Sequence, residues 1–510
     1  VYATANQVPN IIYAIVLGGA LTGMVVPVLA GPALAGAKDE IRQTSSALLT
    51  WTLLLLVPVS LAVALAAHPV VSVLLGHPHT TGGATDEGML ALGSRMLVVF
   101  APQIVLYGLA VVGYGILQAH RRFAAPALAP ILSSVVVAAA YFAFVPLAHG
   151  HQVTGLPRSA ELMLSIGTTA GVAALAVTAL APVRRLGLRL RPALHFPPGV
   201  AARVRALALA GLAAVIAQNI ATVVVIVLAN SRGAPGALVL YNYGWQVFFV
   251  PYAVLAVPIA TSAFPVLSAS ASASDEAEGA ARAQAAVRFD TAVASSTRGA
   301  VLVSWLGAAL LVGACVPAAR VFLSHNTVTD RGPADQLAWA LAAFGPGLAG
   351  FGLAANLSRV LFACRRTRAA AVVVTGGWLL VIAADLVIVP LVSTTWVVPA
   401  LGLGNTIGLT LAGLALLVAV RRTRGRAALH GVTRAGAAGL AGAAAGGAAG
   451  WGVSMGLRAY GFLPNAGIVL LACAATVLAF AAVVLVVDGG EARTLASLAM
   501  ARLTRKKAAA

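Results

Sequence analysis

Eight polar side chains sit where long apolar stretches should exclude them. Gln7 and Asn10 fall in 7–30, Arg95 in 89–117, and Gln218 and Asn219 side by side in 203–229. Asn242 and Gln246 lie four apart in 237–268, and Asp385 interrupts WLLVIAADLVIVPL. An amide both donates and accepts, a guanidinium presents a fork of donors that fits phosphate, and a buried carboxylate takes up a proton or a cation. Polar groups at such depth face a cavity or a partner. One reading makes the amides the lining of a polar cavity; the other makes them hydrogen bonds that only hold helices together. Arg95 lies about two turns into its stretch, and Arg359 about one turn from the end of 336–363. Each either snorkels to the headgroups or meets a phosphate. Asp385 either serves as a coupling site for a cation or proton, or pairs with Arg359 or a polar neighbour.

Other chemistries are poorly represented. The nine histidines fall in gaps or near the ends of apolar stretches. His77 and His79 flank Pro78, but two ligands do not make a metal site. Cys315, Cys364 and Cys473 are far apart and read as small buried apolar residues. No G-x-x-x-x-G-K-[ST] phosphate loop occurs.

Composition dictates the elements that must position these groups. The chain is 60% apolar and 9% charged, with a mean hydropathy of +0.95. A water-facing domain carries about 25% charged residues, so lipid is the solvent for most of this chain. Thirteen continuous apolar runs are long enough to span a bilayer, near 7–30, 45–67, 89–117, 126–147, 160–182, 203–229, 237–268, 287–316, 336–363, 370–391, 396–420, 433–456 and 464–487. They do not alternate, which excludes a β-barrel. The expectation is an all-α polytopic membrane protein.

A net charge of +19 first suggests nucleic acid. The basic residues, however, are confined to gaps between apolar runs, with no basic stripe interleaved with aromatics. The alternate gaps 31–44, 118–125, 183–205, 269–298, 364–369 and 421–434, with the tail, carry 26 of the 33 Lys and Arg residues, and the other gaps five. Basic gaps face the cytoplasm. The C-terminus is then inside and Val1 outside. The chain starts at Val without a signal-peptide layout; a first helix preceding it would make fourteen spans.

One basic signature occurs twice. Leu117, Ala119, Arg121 and Arg122 form L-x-A-x-R-R, repeated 244 positions later by Leu361, Ala363, Arg365 and Arg366. Taken alone, such a pair is a generic cytoplasmic anchor. Two further landmarks accompany it: Val8-Pro9 with Val250-Pro251, and Pro27-Val28-Leu29 with Pro265-Val266-Leu267, at offsets of 242 and 238. Similar offsets argue for duplication of a six-helix unit. Six is even, so the copies enter the membrane in the same sense, as parallel repeats. Transporters built this way place substrate between their lobes. The expected layout is an N-lobe at 1–182, a basic linker at 183–202, a C-lobe at 203–420, a C-terminal helix pair at 421–487 and a basic tail at 488–510.

The stretches VPNIIYAIVLGGALTGMVVPVLA (8–30), RMLVVFAP (95–102) with GYGILQAHRRFAAPALAPIL (113–132), and LYNYGWQVFFVPYAVLAVPIATSAFPVLSASAS (240–272) resemble helices of the MurJ/MviN lipid II flippase family. The resemblance covers most of the chain to about residue 420 and implies fourteen helices in two six-helix lobes plus a terminal pair. It implies carriage of a lipid-linked peptidoglycan precursor to the outer leaflet of the bacterial plasma membrane, by alternating access without ATP. No cofactor is implied; a coupling cation or the membrane potential would supply the energy. Partners would be the precursor, the bilayer, and cell-wall synthesis or division proteins, with no nucleic acid. The chain departs from the family where many members carry an Arg pair: here those positions are Tyr13 and Ala14, and a further family arginine gives way near Trp245-Gln246. The alternatives are an exporter of another lipid-linked oligosaccharide or small molecule, and a non-transporting scaffold for cell-wall enzymes.

Overall fold

The computed structural model describes residues 1–15, 29, 38–76, 83–120, 122, 124–148, 155–186, 191–197, 200–259, 267, 279–323, 332–457 and 461–487. Among them every regular element is helical. The chain divides into two compact units, Val1–Ser231 and Arg232–Ala510.

The first unit contains α1 (Tyr2–Ile15), α2 (Lys38–Leu65), α3 (Ala67–Leu75), α4 (Gly83–Phe100), α5 (Gln103–Ala119), α6 (Ala124–Ala148), α7 (Arg158–Arg184) and α8, which starts at Val200 and runs to Arg232. The second contains α9 (Ala237–Pro251), a π-helical turn Tyr252–Ala256, α10 (Gly279–Gly313), α11 (Cys315–Phe322), α12 (Gly332–Phe344), α13 (Gly347–Ala363), α14 (Thr367–Ile388), α15 (Val397–Arg424), α16 (Val432–Gly456) and α17 (Phe462–Val487). The division falls after Ser231, and α8 is tied into the first unit at its end: Asn230 Nδ2 donates to Thr4 Oγ1 at 3.1 Å and to the Leu74 carbonyl at 2.8 Å.

Ten helical segments among the described residues are long and apolar enough to cross a membrane, eleven if α12 and α13 form one bent span. The other two expected spans differ for separate reasons. Only the start of 7–30 is described. Helix α16 is 25 residues long, but its Ala/Gly composition keeps it less apolar than the ten. Its glycines serve packing instead. A Cβ on Gly439 would press on the Trp305 ring, and one on Gly446 on the Thr476 carbonyl, so α16 lies close against both α10 and α17. Helices α3 and α11 lie in stretches expected to be connections. At nine and eight residues they are too short to cross.

The duplication is visible in local geometry. Phe100 and Pro102 end α4 and open α5; Phe344 and Pro346 do the same for α12 and α13, at the same offset of 244. The L-x-A-x-R-R signature is a helix stop. The Arg366 amide donates to the Leu361 carbonyl and the Arg365 amide to Phe362, with Arg365 left-handed at φ 57°. This is a Schellman closure. The Arg122 amide closes on Leu117 in the same way at 2.8 Å; Arg121 lies outside the described residues, as do Pro27, Pro265, His77 and His79.

The remaining helix pair of each unit obeys a shorter offset. Gly167, Thr169 and Gly171 on α7 match Gly404, Thr406 and Gly408 on α15, 237 positions on. A Cβ on Gly171 would meet Val137 and the Ser133 carbonyl; one on Gly408 would meet Val381 and the Gly377 carbonyl. Those partners are again 244 apart. Small residues at one-turn spacing let α6 approach α7, and α14 approach α15, along matching seams.

Candidate functional site

Each unit builds a polar constellation, two members of which sit at equivalent positions. In the first, Tyr2 on α1 hydrogen-bonds Tyr141 of α6 and Thr168 of α7 through its hydroxyl, both at 2.8 Å. Thr168 also donates to the Leu164 carbonyl of its own helix. Three hydroxyls, each donor and acceptor, satisfy one another.

In the second unit the counterpart of Thr168 is Asn405, and the counterpart of Tyr141 is Asp385. Asn405 Nδ2 donates to Tyr241 Oη at 3.1 Å and to the Leu401 carbonyl at 3.0 Å. Asp385 is fully buried, and neither carboxylate oxygen has a hydrogen-bond partner; Asn405 Oδ1 also lacks one. A Cβ placed on Gly404 would land on Asp385 Oδ1, so the carboxylate rests against the α15 backbone one residue from Asn405. The two buried carboxylate oxygens without a hydrogen-bond partner form an environment that a proton or a hard monovalent cation would complete. Arg359 does not fill this role: its Nη1 donates to the Ala355 carbonyl of its own helix at 2.9 Å.

Both helix breaks carry a threonine. In an unbroken helix the Gly347 amide would donate to the Ala343 carbonyl. Here that amide donates to Thr406 Oγ1 at 3.1 Å, and the Thr406 hydroxyl donates to the Ala343 carbonyl at 2.6 Å. One hydroxyl is spliced into the backbone ladder. In the first unit Thr169 Oγ1 donates to the Val99 carbonyl at 3.0 Å and accepts from Gln103 Nε2 at 2.9 Å. Helices α12 and α13 meet at 43°, whereas α4 and α5 continue as one span.

Arg95 is engaged by a residue that the sequence did not bring forward. Its Nε and Nη2 contact both oxygens of Glu161 at 2.8–3.2 Å, with the Glu161 side chain 6% exposed and that of Arg95 53%. Asn10 Oδ1 accepts from the Tyr107 hydroxyl at 3.0 Å, and Asn10 Nδ2 donates to the Asn6 carbonyl. Tyr13, where the family carries arginine, stacks on Tyr107 at 4.2 Å. Gln7 is half-buried on α1. On α8, Asn219 is buried and bonds its own helix at Val215, beside half-buried Gln218. On α9, Gln246 is exposed and Asn242 half-buried. Trp245 stacks on Phe248 at 5.3 Å and packs edge-on to Phe249, which gives the position near the missing arginine an aromatic character.

Sequence reasoning found Asp385 but not Tyr241, Asn405, Tyr2, Tyr141, Thr168 or the two threonines at the breaks. The signal was present for one of them: Tyr141 and Asp385 share the offset of the two Arg pairs. Among the described residues no group of three His, Cys, Asp or Glu converges.

Comparison with known proteins agrees with this architecture. The family model described as lipid II flippase MurJ matches residues 1–455. The lipid II flippase MurJ of Burkholderia cenocepacia is 25% identical over 414 residues, covering 79% of this chain and 74% of the relative. A probable lipid II flippase MurJ of Synechocystis sp. is 27% identical over 259 residues, covering 50% of this chain and 46% of the relative. Among solved structures, a lipid II flippase MurJ in an inward closed conformation superposes with a TM-score of 0.64 at 14% identity, covering 95% of this chain and 96% of the other. An inward-facing multidrug resistance MATE family transporter of the MOP superfamily gives 0.65 at 16% identity, covering 84% and 90%. At such identities the likeness to solved structures bears on the fold. The match across residues 1–455 bears on descent, and the chain belongs to the lipid II flippase MurJ family.

Proposed function

We propose that this protein is a flippase that moves lipid-linked peptidoglycan precursor from the cytoplasmic to the outer leaflet of the bacterial plasma membrane. It works by alternating access of two six-helix lobes, 1–182 and 203–420, joined by the linker 183–202. The observation that carries this reading is the family match over residues 1–455. The basic gaps place Arg122, Arg365, Arg366 and the C-terminal tail on the cytoplasmic side. The proposed topology has thirteen spans in this chain, the last two being the helix pair 421–487. Gln7, Asn10, Gln218, Asn219, Asn242 and Gln246 supply amide donors and acceptors to a polar headgroup, and Arg95 is the phosphate-binding candidate.

Asp385 is the coupling residue in this proposal. Its buried, donor-free carboxylate exchanges a proton or a monovalent cation, and that exchange drives the conformational cycle in place of ATP. The same carboxylate supports a second reading, export of a small molecule by ion antiport. The test uses cells depleted of their own lipid II flippase and expressing the full-length protein. Lipid II accessible to an externally added degrading toxin is measured. Restored accessibility, lost on Asp385→Asn at equal insertion, supports flipping driven through Asp385. No restoration by a well-inserted protein moves the assignment to another exported substrate or to a scaffold.

A further inference from the structure

We infer that Thr406 is a positioning residue that transmits the state of Asp385 to the bend between α12 and α13. The inference rests on the coupling role proposed for Asp385. Three consecutive residues of α15 touch three different elements. Gly404 lies against the Asp385 carboxylate of α14. Asn405 holds the Tyr241 phenol of α9. Thr406 supplies the hydroxyl spliced between the Gly347 amide and the Ala343 carbonyl. These residues occupy less than one helical turn, so a shift that one neighbour imposes is felt by the others.

The splice decides the angle. Pro346 has no amide, and the first amide able to close the ladder across the break is that of Gly347. With the hydroxyl inserted, donor and acceptor are held one oxygen apart and the axis bends, which is a recognised cause of kinks. With the hydroxyl withdrawn, the amide can reach Ala343 directly, which reduces the bend to what Pro346 alone imposes. Gly347 itself admits no side chain: a Cβ there would sit 2.7 Å from Thr406 Oγ1 and 2.9 Å from its Cα. Filling the site around Asp385 gives its orphan oxygens a partner where the carboxylate rests against Gly404, which fixes this turn of α15 and with it the splice.

The duplication supplies an internal control. At the equivalent break in the first unit Thr169 bridges the Gln103 side-chain amide and the Val99 carbonyl without taking a backbone amide, and its neighbouring constellation carries Tyr141 where the second unit has Asp385. The first break therefore has the clamp without the titratable group.

Hydrogen exchange of the full chain in lipid nanodiscs, read by mass spectrometry on peptides spanning 340–350, tests this at fixed pH. The conditions are sodium chloride against choline chloride, with Asp385→Asn as the neutral form. In the wild type, sodium or the neutral substitution slows exchange across 343–350 by at least about 5-fold, the lower end of ordinary coupling between sites. Thr406→Val removes that difference, Thr406→Ser preserves it, and Thr169→Val leaves it intact. A merely structural role for Thr406 would raise exchange in Thr406→Val yet keep the response, and that result overturns the inference. So does loss of the response in Thr169→Val. A wild type whose exchange is unchanged by both sodium and Asp385→Asn overturns the coupling role of Asp385, and the relay with it. Thr406→Ala, which removes the hydroxyl without branching at Cβ, should also lose the response and keeps the test decisive should the valine variant fail to fold.

Discussion

The Arg95–Glu161 pair separates a structural role for Arg95 from a phosphate-binding one. The two partners are unequally placed, with the carboxylate 6% exposed and the guanidinium 53%. Arg95→Gln therefore strands a buried carboxylate, whereas Glu161→Gln releases a cation that already reaches the surface. Breaking a wholly buried pair costs about 3–5 kcal/mol. Half-exposure of Arg95 screens the interaction, so about 2 kcal/mol is expected for Arg95→Gln. Glu161→Gln keeps an acceptor beside Arg95 and costs about 1 kcal/mol. The double variant has neither a stranded charge nor a lost ion partner and also costs about 1 kcal/mol, which makes the coupling energy about 2 kcal/mol. The assay is the thermal denaturation midpoint of the purified full chain in detergent, with toxin accessibility of lipid II measured alongside. The midpoint should fall furthest for Arg95→Gln and recover in the double variant. A double variant no more stable than Arg95→Gln refutes this account of the pair. Recovery of the midpoint without recovery of transport assigns Arg95 a direct role with the substrate.

Three further outcomes follow from the same packing. Asp385→Asn should raise the denaturation midpoint measured in choline chloride, because an amide brings donors to a donor-free site worth about 1–3 kcal/mol, while transport is lost; Tyr141→Phe, in the hydroxyl-rich copy, should change stability by under about 1 kcal/mol and leave transport intact. Gly404→Ala should destabilise by about 1–3 kcal/mol, since its Cβ meets the Asp385 carboxylate, whereas Gly452→Ala, with open space around it, should be neutral or mildly stabilising by the same midpoint measurement. Arg365→Gly should stabilise by up to about 1 kcal/mol, because glycine takes φ 57° without the side-chain penalty; equal midpoints for Arg365→Gly and Arg365→Ala would remove that explanation.

Most of the helical frame was legible in the sequence because lipid leaves few alternatives to a continuous apolar helix. The repeated Arg pair was legible as a duplication, although its meaning as a helix stop needed the backbone: the pattern shows two cations, while the closure depends on which carbonyl the second amide reaches. The polar pairings were not legible. Glu161 sits in the first turn of α7, at the edge of an apolar run, where a carboxylate reads as a solvated helix start. Thr168, Thr169 and Thr406 are ordinary in a spanning helix, and their role depends on the neighbour reached. The offset also changes from 244 on α4–α6 to 237 on α7, because the chain from Tyr141 to Thr168 is seven residues longer than the chain from Asp385 to Asn405. A single-offset comparison aligns Tyr141 with Asp385 but misses Thr168 with Asn405.

The two copies also differ in a way that bears on how a duplicated fold acquires a working part. Both contain a proline break, a threonine bonded to the carbonyl before that break and a glycine seam of the same spacing. One copy closes its constellation with hydroxyls, which satisfy themselves in any order because each both donates and accepts. The other buries a carboxylate with no hydrogen-bond partner, and such a group is stable in proportion to what it captures. The copy with the unsatisfied cluster is also the copy bent by 43° at its break. Divergence at two positions, Tyr141 against Asp385 and Thr168 against Asn405, thus separates a unit whose hydroxyls satisfy one another from one whose carboxylate is left for a ligand. Conformational cycling needs that difference, because a ligand shifts an equilibrium only by as much as its affinities for the two states differ.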